Sequence, residues 1–210
     1  MLLMLVMISS LLAPDEAIHV ERRAPTTQMI DFDSAHPPAG VKIQSGEDAL
    51  TRMLFNCTVK LKYDVIQHQD VKGKVHVKTR IGNVRVILEL TNKIYVPKRA
   101  TDRLRAHEQG HARINGIIYE DAERAAYDAA AAAMERTWEA DGADVDSAGK
   151  AATDQAVDWI CRDYLKHTAD KAFRIGEIYD EITQHGTNSK SISEAIAEAI
   201  GRQSEEKQKK

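Results

Sequence analysis

The chain has 210 residues, 43% of them apolar and 29% charged, enough for one globular domain with a buried core. Its 29 basic and 32 acidic residues leave a formal net charge of -3, and only 5% of its residues are aromatic. Neither a basic surplus for phosphates nor a platform for stacking bases is available, so nucleic acid is not an expected partner. Cys57 and Cys161 are the only cysteines and form no CxxC pair, which argues against a thiolate zinc site. In an oxidising compartment they can form one disulfide; otherwise they read as buried thiols.

The first segment, MLLMLVMISSLLA, is an apolar run of secretory length, too short to span a bilayer. It lacks a preceding Lys or Arg, but residues 1–17 are still best read as a leader, with export to the periplasm or medium. No later stretch is long and apolar enough for a membrane span. Residues 18–45 mix Pro, Asp, Ser and Thr without periodicity and read as an irregular lead-in to a domain over 46–186. That domain opens on a short helix, Glu47 to Phe55. Val59, Leu61, Tyr63 and Val65 then alternate with polar residues, and so do Val75 and Val77 after a polar turn ending at Gly73. Gly82-Asn83 fits a second tight turn before Val84, Val86, Leu88 and Leu90. The pattern predicts a three-stranded antiparallel meander over about 58–91.

Beyond Pro97 the period becomes helical. Thr101 can cap a helix that Asn115-Gly116 stops, and an Ala-rich helix follows over about 118–139. A long helix begins near 147, with an apolar stripe through Val157, Ile160, Tyr164, Ile175, Ile178 and Ile182; Gly176 is a place for it to bend. It ends at His185-Gly186, where Gly suits a left-handed cap. Residues 187–210 read as a tail with a short amphipathic piece and a disordered, highly charged end.

The chemistry concentrates in His107-Glu108-Gln109-Gly110-His111, an HExxH motif on a predicted helix. Residues four apart lie on one helix face, so both imidazoles can reach one ion, while Glu108 is turned about 100° away and can touch a metal-bound water. Leu104 and Ile114 share the face of the two histidines, which therefore point into the fold. A catalytic zinc site takes three protein ligands and keeps one position open. The motif does not continue to HExxHxxGxxH, since Ile114 and Ile117 stand at the further positions. The third ligand is open between the carboxylates Glu120, Asp121 and Glu123 on the next helix and His185 at the end of the long one. His19, His36, His68, His76 and His167 fall in loops or on polar faces.

Two stretches carry a resemblance. Ile94-Tyr95-Val96-Pro97 followed by Leu104 to His111, and the late Tyr179-Asp180-Glu181-Ile182-Thr183-Gln184-His185-Gly186, resemble the predicted secreted zinc-dependent proteases of bacteria, a family that pairs HExxH with a downstream YD, T, HG signature. The likeness spans roughly residues 58–187. It implies His185 as third zinc ligand, Tyr179 as an oxyanion donor and Asp180 as the partner that orients a ligand histidine.

The expectation is an α+β, zincin-like domain in which the meander packs on the HExxH helix and a long C-terminal helix. The expected function is a Zn2+-dependent peptidase, most simply an endopeptidase. His107, His111 and His185 hold the metal, Glu108 is general base and then acid, and a peptide or protein is the substrate. An edge strand, Val84 to Leu90, would hold that peptide by strand addition. The rivals are a closed structural zinc site, with Glu120 or Glu123 as fourth ligand, and a metal-free helical envelope protein. Oligomeric state is left open.

Overall fold

The computed structural model describes residues 17–41 and 48–208; most of the expected leader, and Glu47 at the start of the first expected helix, lie outside them. Five strands form one sheet: β1 (Ile18–Arg22), β2 (Thr26–Phe32), β3 (Leu50–Val71), β4 (Lys74–Pro97) and β5 (Thr137–Gly142). β4 is its axis. β1 and β2 run parallel to β4, and β3 and β5 run antiparallel to it. Helices and sheet are combined as an α+β chain, but the expected antiparallel meander is overturned, and the arrangement does not show a zincin-like fold.

The causes are local. The turn at Gly73 is as expected: Lys72 and Gly73 both adopt left-handed φ (49° and 80°), the two-residue geometry that suits twisted strands. Gly82-Asn83 turns nothing. Lys62 pairs with Asn83 and Tyr63 with Ile81, so Gly82 is the extra residue of a bulge inside β4. The alternation begins earlier than residue 58. Leu50 to Phe55 continue β3 against Tyr95 to Leu90, with Phe55 buried and Arg52 and Leu54 exposed, so no helix forms there. The supposedly irregular lead-in supplies β1 and β2, whose partners begin at Val84 and Thr91. A parallel pairing across such a separation leaves no local turn signal. Because β1 and β3 flank opposite sides of Val84 to Leu88, that stretch is central and not an edge.

Helices α1 (Asp102–Glu120), α2 (Ala122–Met134), α3 (Val145–His167), α4 (Ala169–Thr183) and α5 (Ile192–Gln208) complete the fold. Their apolar stripes share one core with Val77, Val84, Val86, Leu88 and Leu90 of the sheet. Thr101 caps α1, its hydroxyl accepting the Leu104 N–H at 3.1 Å. α1 passes through Asn115-Gly116 because the Asn115 side chain is buried and donates to Asn92 Oδ1 at 2.8 Å, a tertiary partner that outweighs the local stop signal. The Ala-rich α2 ends earlier than expected, with Trp138 drawn into β5 opposite Thr79. Alanines of α2 (Ala126, Ala129, Ala130, Ala133) and of α3 (Ala148, Ala152, Ala156) are fully buried, as close helix approach requires.

The expected single long helix is two. Its break lies at Thr168, whose hydroxyl donates to Tyr164 O at 2.8 Å, a back-bond that competes with helix continuation. Gly176 lies inside α4 without ending it. The expected amphipathic piece is present and longer than expected: α5 buries Ala195, Ile196 and Ala199 and runs on through Gln208 of the charged end, pairing Glu206 with Arg174 at 3.0 Å. Glu, Lys and Gln there are good helix formers, so charge alone was the wrong guide. Cys57 and Cys161 are joined in a disulfide that ties β3 to α3. Among the described residues no helix is long and apolar enough to cross a membrane.

Candidate metal centre

α1 and α4 pack together with Gly110 of α1 against the Tyr179 ring of α4. A Cβ on Gly110 would collide with the Tyr179 hydroxyl, so α1 comes this close only with glycine there. The Tyr179 ring, fully buried, stacks on His107 (centroids 5.0 Å apart, planes at 10°) and meets His111 edge-on at 5.0 Å. Its hydroxyl donates to His107 O at 3.3 Å. Tyr179 is thus a platform under both imidazoles, facing the core; it is not among the residues that line the adjoining cavity.

On that platform three donors converge. Asp180 Oδ1 lies 3.1 Å from His107 Nε2 and 2.9 Å from His111 Nε2. The candidate ligand atoms of His107, His111 and Asp180 all lie within 4.8 Å of one another. Asp180 is half-buried, which pushes its carboxyl up, but hydrogen bonds and charge from both histidines outweigh that and hold it well below the usual carboxylate range.

Thr183 decides what can sit between these groups. Its hydroxyl proton is committed to Tyr179 O at 2.7 Å, so its oxygen is left to accept from His107 Nδ1, 3.4 Å away. In the tautomer with its proton on Nδ1, His107 presents its Nε2 lone pair toward Asp180; in the other it donates to that carboxylate. Two acceptors at that distance need a proton or a cation between them. The donor set fits a divalent metal, with Thr183 placed to favour the ligating tautomer of His107. Threonine was visible in the late signature, but no local pattern pointed to this role. Replacing Thr183 with Val is expected to weaken metal binding about 10–100-fold, with Ser restoring it. Metal titration against a competing chelator reads this; a Val variant with unchanged affinity would remove Thr183 from the site.

His185 is placed differently from its expected position. α4 ends at Thr183, and Gln184 and His185 both turn left-handed (φ 51° each). The line through Ile178 and Ile182 therefore does not continue to His185. Its ring is more than half exposed, with Nδ1 3.9 Å from Asp180 Oδ1, and it stands beside the converging donors. Gly186 (φ 77°) then passes so close to His107 that a Cβ would lie 2.9 Å from its Cβ and Cγ, so glycine serves both the dihedral and the contact. Glu120, Asp121 and Glu123 are exposed, Glu123 facing Arg22 at 3.7 Å and Asp121 facing Arg124 at 3.5 Å. They take no part in the donor group.

Glu108 lines a cavity of about 780 Å³, together with His107, His111 and Asp180. Its Oε2 accepts from Thr51 Oγ1 at 2.7 Å. Burial pushes its carboxyl above the usual range, against the opposing pull of the Thr51 hydroxyl and both histidines. Thr51 and its neighbours Ala49, Leu50 and Met53 form one wall of the cavity. Among the described residues β3 pairs only with β4, so this wall is a sheet edge. Against known proteins, no family model matches the chain, and neither a curated protein nor a solved structure matches it.

Proposed function

We propose that the chain is a zinc-dependent peptidase whose third protein ligand is Asp180. The observation that carries this reading is the meeting of His107 Nε2, His111 Nε2 and Asp180 Oδ1 at the wall of an open cavity that also holds the Glu108 carboxylate. Three protein donors and an open approach are the make-up of a catalytic site, whereas a structural site is closed by a fourth ligand. Two imidazoles and one carboxylate suit zinc, and bound there it would lower the pKa of a coordinated water and polarise a substrate carbonyl.

The chain's own groups do the rest. His107 and His111 offer Nε2, with Thr183 holding the His107 ring and Tyr179 carrying both rings from below. Glu108, oriented by Thr51, takes a proton on its carboxylate from the attacking water and passes it to the leaving amine nitrogen. A carboxyl raised by burial is well suited to accept and return a proton. The β3 edge from Leu50 to Met53 can hold an extended peptide by strand addition, the part first expected of Val84 to Leu90. The late signature supports the same reading, since Tyr179, Asp180, Thr183 and Gly186 all touch or closely approach His107. The Cys57–Cys161 disulfide suits an oxidising compartment, as export would require.

Elemental analysis tests the metal set. About one zinc per wild-type chain is expected, lost in Asp180→Ala and retained in His185→Ala. The opposite pattern would return the third position to His185. A wild type that takes up no zinc would sink the peptidase reading.

A further inference from the structure

We infer that the cleft ends in an apolar subsite at Phe173 that takes a large apolar side chain of an extended peptide; this rests on the reading of the cavity as a peptide cleft. Phe173 is 60% exposed, the highest value among the exposed large hydrophobic residues described. Isolated exposed apolar residues are ordinary on protein surfaces, so its place matters more than its exposure. Phe173 lines the same cavity as His111 and Asp180. It stands seven residues before Asp180 on α4, two helical turns along the same face, or about 10 Å. An extended peptide rises about 3.4 Å per residue, so a side chain two or three residues from the reacting bond falls there.

The surroundings are built of small and apolar groups. Between Phe173 and Asp180 the helix presents Gly176, with no side chain, and Ala172 is buried beside it. Met53 of β3, partly buried against the core, lines the same cavity. Glu177, which lines the same cavity, is engaged by Arg174 at 3.1 Å. The lining also holds polar groups, among them Ser34, Asp48, Arg99 and Thr101. A ring held at the wall of such a cleft gains contacts only when a ligand covers it.

The test is fluorescence anisotropy on the full chain carrying Glu108→Gln, which blocks turnover. The probes are dye-labelled hexapeptides of Ser and Thr, with a single Phe moved through each position. At one position Phe should tighten binding about 10-fold over the Phe-free peptide, and adding Phe173→Ser should erase that gain while leaving the Phe-free peptide unchanged. No gain at any position, a gain that survives Phe173→Ser, or no binding by any peptide would overturn the subsite. If the gain appears but the wild type cleaves none of the bound peptides, the subsite stands and the peptidase reading falls.

Discussion

Glu108→Gln protein is expected to hold its metal as the wild type does and to hydrolyse peptide bonds about 10²–10⁴-fold more slowly. The amide matches the carboxylate in shape, and its oxygen can still accept from the Thr51 hydroxyl now 2.7 Å from Oε2. Neither helix packing nor the converging donors need change. What is lost is the capacity to take up a proton from water and return it to the leaving nitrogen. Hydrolysis of an unstructured protein substrate, measured beside zinc content, separates the possible outcomes. Hydrolysis within twofold of wild type would remove Glu108 as the base. Loss of zinc would make the glutamate a ligand.

The second large effect concerns stability. The disulfide closes a chain separation of 104 residues, for which loop entropy alone gives about 4–5 kcal/mol. Cys57→Ala with Cys161→Ala should therefore lower the urea-derived unfolding free energy by roughly that amount, a large part of the 5–15 kcal/mol typical of a domain. Both cysteines are partly buried at the junction of β3 and α3, so their replacement leaves a gap of little more than a sulfur atom each. A loss below about 1 kcal/mol would mean that the cross-link does not restrain the unfolded chain as loop closure requires.

The residues of the candidate metal centre were legible in the sequence to different degrees. His107, Glu108 and His111 follow from a helical spacing that any α-helix honours, and α1 realises it. Asp180 was visible in the late signature but stood there as an orienting partner, because the helix seemed to run on to His185. Where that helix ends depends on the left-handed Gln184 and His185, neither a residue type that announces the conformation as glycine does. Thr183 stood in the same signature without a role, since its role lies in a contact with His107, 76 residues distant in the chain. The sheet was misread for a related reason. Alternation marks strands but not their partners, and the parallel pairs of β1 and β2 with β4 are set by burial across long separations. Bulge and turn share the same glycine-rich spelling, so Gly73 and Gly82 read alike yet do different things.

The covalent loop from Cys57 to Cys161 encloses both histidines of α1 but stops short of α4, where Asp180 resides. The two halves of the donor set therefore belong to parts of the chain tethered in different ways. One part is stapled to the sheet; the other is held by packing and by whatever joins Asp180 to the imidazoles. A reductant and a chelator would act on different ties, the first on the link between β3 and α3 and the second on any cation held between α1 and α4. The segment beyond Cys161 lies outside that loop and is held through the shared core, where Ile175, Ile178 and Tyr179 are buried, and through its seam with α1. A metal seated at that seam would be the clasp that keeps the cleft's own wall in place.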